Sequence, residues 1–223
     1  MAHADVERVL SIQKKYFVNG FKNDPASMIA GVQHPDQFNY LFPQSEWMWD
    51  SDVANNQAFI RTIGDHKEYW VHVDNEDNYR EPYLAFLNSN YVLPREVVPK
   101  VLHADHLLHK AFAKKHGINY VQLALVWETY NRGFGFGIEK NFSAKKDIKG
   151  KSMYLVDYSL MFKLLGIEPF QRISEYEERK AEIADKFVAE GAIDSFDIAI
   201  EGLDGFFQLW DVLSKEKNNI VTY

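Results

Sequence analysis

The chain has no cysteine. That single absence removes disulfide scaffolds, thiol nucleophiles, thiolate-bound zinc, iron–sulfur clusters and the cysteine-dependent zinc deaminase signature. Long apolar runs are also missing: no stretch approaches the roughly 18 residues that a membrane-spanning helix requires. The opening MAHADVERVLSIQKKYF carries a charge every few positions where a secretory signal would be apolar. The expectation is a soluble protein with no membrane partner. Three catalytic signatures are absent as well. There is no P-loop G-x-x-x-x-G-K-[ST], since Lys145 stands where its first glycine would precede Gly150-Lys151-Ser152, no G-x-S-x-G and no H-E-x-x-H, and the glycine loop GFGFG fails the dinucleotide fingerprint because Ile138 stands where its last glycine belongs.

What remains is an aromatic-rich globular composition: 46% hydrophobic, 26% charged, with 16 Phe, 12 Tyr and 5 Trp among 223 residues. Such a chain can bury a core and is neither disordered nor fibrous. Its net charge of −7 hides an asymmetry. Residues 1–94 hold 7 Lys+Arg against 13 Asp+Glu, residues 95–151 hold 11 against 5, and residues 152–223 hold 7 against 14. Only the middle is basic, and it carries His103, His106, His109 and His116. A local basic field with imidazoles suits phosphate chemistry; a solvated helix face would have the same composition.

Periodicity predicts an amphipathic helix from Asp5 to near Gly20, a turn-rich irregular region from Asn23 to Asp52, and a strand over Tyr69–Val73. Further on it predicts a helix over Tyr154–Leu165 closed by Gly166, and a charged helix opened by the Ser174/Glu177 capping box. A short strand over Ile193–Ile200 and a last helix capped by Asp204 complete the chain. No repeat or linker divides these pieces. The expected fold is α+β, a helix-dominated single domain over residues 1–223, with 1–94 and 152–223 flanking a core at 97–151.

That core, VLHADHLLHKAFAKKHGINYVQLALVWETYNRGFGFGIEKN, reads as a strand ending in Asp105-His106, a helix over Leu107–His116, a buried strand over Tyr120–Val126, then Asn131 and a helical segment with Glu139 and Lys140. Hydrolysing a phosphodiester with one divalent ion needs a general base, a group to orient it and hard metal ligands. His106 can serve as base, because imidazole titrates near neutrality. Asp105 and Glu139 can ligate a metal, and Asn131 can hold the imidazole. Plainer roles exist for each: Asp105 as a helix cap, Asn131 as a turn residue, the histidines as surface decoration.

These residues resemble the HNH or His-Me finger endonucleases, in the branch where Asp-His opens the motif, including nuclease domains of bacterial polymorphic toxins. The resemblance covers roughly 45 of the 223 residues. It implies an embedded ββα-metal-like unit with His106 and Asn131 catalytic and Asp105 and Glu139 at the metal. In that family a third element follows the Asn by eight or nine positions, where Glu139 and Lys140 stand. The ion would be Mg²⁺, with Mn²⁺ or Zn²⁺ as alternatives. Lys110, Lys114, Lys115, Arg132 and Lys140 would contact the DNA backbone, and His103 is a further candidate. The resemblance also implies a toxin or effector that acts in the cytoplasm or is delivered by a specialised secretion system, countered by an acidic immunity protein. The rival class is a non-catalytic acidic binder of the immunity type, whose negative flanks would mask a basic partner.

Overall fold

A computed structural model describes residues 2–75, 79–134, 152–170 and 173–218. The fold is α+β, with one antiparallel sheet and helices holding just over half of the chain. The strands are β1 (Ile29–Val32), β2 (Ser45–Trp49), β3 (Ala58–Ile63), β4 (His66–His72), β5 (Leu102–His106), β6 (Tyr120–Trp127) and β7 (Met153–Leu155). The helices are α1 (Ala2–Asn23), α2 (Gln37–Leu41), α3 (Arg80–Tyr91), α4 (Lys110–Lys115), α5 (Glu128–Phe134), α6 (Tyr158–Leu165), α7 (Ile173–Ala189) and α8 (Phe196–Asn218). Among the described residues no helix is long and apolar enough to cross a membrane.

The sheet runs β2-β3-β4-β6-β1-β7, with β5 paired to β6 off that path. β6 is the hub. Seven of its eight residues are buried, consistent with the continuous apolar run in its sequence. Its first residues pair with β4 on one side (Val71↔Val121) and β1 on the other (Gly31↔Val121). From Leu123 to Trp127 it pairs with β5. Where β4 stops, the carboxamide of Gln13 on α1 takes its place. Its Oε1 accepts the Leu125 N–H at 2.8 Å and its Nε2 donates to the Leu125 carbonyl at 2.9 Å. Buried backbone groups must be paired, and here one side chain does the work of a strand.

The main core lies between one sheet face and helices α1, α3, α6, α7 and α8. A smaller aromatic core on the other face joins Phe38 of α2 to Phe59, Trp70 and Tyr120. Gly31 is a glycine because a Cβ there would sit 2.7 Å from Ile118 Cγ2 and 2.9 Å from Leu108 Cδ2. Asp157 caps α6 by accepting from the backbone N–H of Ser159 and Leu160, and Gly166 closes it at φ +66°.

Four expectations need correction. The helix expected over Tyr154–Leu165 starts only at Tyr158, and Tyr154 and Leu155 belong to strand β7. The Asn23–Asp52 region is not irregular: it holds β1, α2 and β2. β1 is too short and too uniformly buried to show alternation, and the aromatics flanking β2 mask its pattern. β3 gave no readable signal either. The strand expected over Ile193–Ile200 is the start of α8, whose apolar Ala199, Leu203, Phe206 and Phe207 recur at helical spacing. Asp204 therefore lies inside that helix and does not cap it. It accepts from the Tyr176 hydroxyl at 3.0 Å and from Lys180 at 2.8 Å.

Replacing Gln13 with Ala should cost about 2 kcal/mol, since it leaves two backbone groups of the central strand without partners. Equilibrium urea unfolding measures it. Gln13→Glu should cost at least as much as Gln13→Ala, because its carboxylate still accepts from Leu125 but sets an anionic oxygen against the Leu125 carbonyl.

Candidate functional site

β5 alternates strictly: Leu102, Ala104 and His106 are buried, and His103 and Asp105 are half-buried. Successive side chains of a strand point to opposite faces, so Asp105 and His106, adjacent in sequence, face opposite ways. The register pairs His106 with Leu123 and Asp105 with Ala124.

On one face His106 is 9% exposed, with its ring set edge-on to Tyr79 at 4.4 Å between centroids. Its Nε2 is buried and makes no hydrogen bond among the described residues. Burial pushes its pKa down to about 4; Asp105 opposes that shift, and Lys110, His109 and Lys163 add to it. The imidazole is therefore neutral at pH 7. Lys110 approaches the Tyr79 ring at 5.9 Å, and Lys114 pairs with Asp74 at 2.8 Å.

On the other face, Nδ2 of Asn131 lies 3.4 Å from Nδ1 of His103. Asn131 is carried there by α5, which begins directly after β6. Beside it, the Asp105 carboxylate accepts a hydrogen bond from Lys163 Nζ at 2.9 Å. The Lys163 side chain is 1% exposed and that of Asp105 13%, so this ion pair is largely withdrawn from water. Arg132 is exposed and paired with Glu128 at 2.7 Å within α5. Glu139 and Lys140 lie outside the described residues.

The fold thus brings His103, Asp105 and Asn131 to one side of the β5–β6 pair and leaves His106 on the other. Sequence reasoning missed Lys163 and Tyr79. A signal for the first existed, since Lys163 is the one charge in the apolar helix YSLMFKLL, and a lysine buried in such a setting needs an anionic partner. For Tyr79 there was none.

The residues fit a divalent ion poorly. Among the described residues no three His, Asp or Glu side chains gather as a ligand group, and the Asp105 carboxylate is already taken by an ammonium. Compared with protein-family models, curated proteins and solved structures, the chain matches none.

The depressed pKa of His106 makes stability pH-dependent. Its folded value, about 4, lies below the ordinary 6.5, so its contribution is complete above pH 6.5 and is lost as pH falls toward 4. The loss should approach about 3 kcal/mol, with His66, also lowered by burial, acting in the same direction. Urea midpoints from pH 7 to 4.5 should fall steeply for the native chain and less steeply for His106→Gln.

Proposed function

We propose that this protein is a nuclease that hydrolyses phosphodiester bonds in DNA, working from the α5 side of the β5–β6 pair. The observation that carries the reading is the approach of Asn131 to the imidazole of His103. With the Asn131 amide turned so that its Oδ1 accepts from Nδ1–H of His103, Nε2 keeps its lone pair and can take a proton from water, which is how a general base is oriented. His103 fills that role better than His106. It is half-buried and shares its face with Asp105 and Asn131, whereas His106 is enclosed and its lowered pKa makes it a weak base.

Two further features support the reading. The order of two antiparallel strands followed by a helix is the order that the resemblance to HNH endonucleases implies, with α4 inserted between the strands. The segment from 95 to 151 is also the basic part of an otherwise acidic chain, as backbone contact with nucleic acid requires. A Mg²⁺ requirement rests on the resemblance, with Glu139 its further ligand. The resemblance likewise suggests a bacterial toxin or effector held in check by an acidic immunity protein.

Supercoiled plasmid incubated with the protein should be nicked, with and without EDTA deciding the metal requirement. His103→Ala should slow nicking at least about a hundredfold, the usual scale for loss of a general base, and Asn131→Ala should slow it less, while His106→Ala stays within a few-fold of the native rate. Loss in His106→Ala alone would return the base to the other face. No cleavage by folded native protein under any condition would overturn the nuclease reading in favour of an acidic binding protein.

A further inference from the structure

Away from β5, a cavity of about 510 Å³ opens between α1, the β1 approach and the α2–β2 turn. This is within the range of about 300–1,000 Å³ typical of small-molecule sites. Its walls are Tyr16, Met28, Phe42 and Ile63, and deeper in lie Ser45 and Arg61. Arg61 is 1% exposed, a rare position for a guanidinium. Nε donates to Ser45 Oγ and Nη1 to Glu68, both at 3.3 Å, and the guanidinium lies 4.0 Å from the centre of the Phe38 ring. Among the described residues its Nη2 has no hydrogen-bond acceptor, although Arg61 lines the cavity.

Charge decides what could enter. Glu68, 3% exposed, neutralises Arg61 and also accepts from the Tyr16 hydroxyl at 2.6 Å and from Trp70 Nε1 at 3.0 Å. Asp24 lies on the cavity lining as well. An anionic ligand would therefore meet a guanidinium already neutralised by Glu68, with the exposed Asp24 carboxylate at the rim adding repulsion. A cation would face the guanidinium. The remaining match is an uncharged, flat molecule with carbonyl or ring-nitrogen acceptors for Nη2, with aromatic and thioether surface around it.

We infer that this cavity binds a neutral heteroaromatic ring of nucleobase type, as a free nucleoside or a base of a strand. Asn19 and Gln44, both exposed and both on the lining, supply amides for the ring's outer edge. The inference does not depend on the nuclease reading, since binding is measured without turnover.

The test is calorimetric titration of the native chain with adenosine, guanosine, cytidine and uridine, beside benzoate as an anion of similar size. At least one nucleoside should bind with 1:1 saturation and at least tenfold tighter than benzoate. Asn19→Trp fills the mouth without touching the buried ion pair and should weaken that nucleoside at least tenfold while leaving the melting curve unchanged. Arg61→Lys keeps the charge facing Glu68 but loses the second terminal nitrogen, and should weaken it too; if that variant fails to fold, Asn19→Trp decides. Absence of saturable binding by every nucleoside, benzoate binding as tightly as any of them, or full binding in folded Asn19→Trp would each overturn the proposal.

Discussion

The structure depends on keeping the backbone of β6 paired along its whole length. A strand this deeply buried cannot leave N–H or C=O groups open without a cost of about 1–3 kcal/mol for each, and no single neighbour accompanies it from end to end. β4 and β1 serve its first residues, β5 serves the rest, and Gln13 closes the gap at Leu125. The arrangement fixes α1 against the sheet by a polar bond as well as by apolar packing. It also fixes β5, and with β5 the directions in which its histidines and Asp105 point.

From that register follows the division of the central segment into two chemically different sides. Leu102, Ala104 and His106 are buried on one face of β5, where desolvation favours a neutral imidazole. His103 and Asp105 turn to the side that α5 and α6 cover, where amide and ammonium partners await them. Much of the polar interior follows the same rule: Arg61 with Glu68 and Lys163 with Asp105 are enclosed as pairs. Such pairs contribute little net stability compared with apolar substitutes. They do restrict which helix can dock on which strand.

The long, regular elements were legible in the sequence. The first helix, the apolar run of β6, the Gly166 stop and the charged helix after residue 173 each carry a periodic pattern or a terminal signal that acts locally. β1, β2 and β3 were not legible, because each is four to six residues long and owes its existence to partners far along the chain. The site shows the same limit. Asp105, His106 and Asn131 could be read as one group from their order, but a strand's twofold alternation separates the first two, and which face meets Asn131 is decided by where α5 packs. His103 looked secondary in the sequence because adjacency in the text concealed that it shares a face with Asp105.

The place of β1 in the sheet bears on how the chain is made. β2, β3 and β4 are neighbours in sequence and can pair as soon as they are synthesised. β1 precedes them, yet its partners are Tyr120 and Val121 of β6 and Met153 to Leu155 of β7. Closing so long a loop adds only about 0.6 kcal/mol for each doubling of length, but that entropy is spent before any contact is gained. During synthesis Val32 therefore has no strand partner until Tyr120 of β6 has emerged, and Ile29 none until Leu155 of β7 has. Over that interval the N-terminal third is a half-sheet with an open edge, and the last strand to emerge completes one of the first to be made.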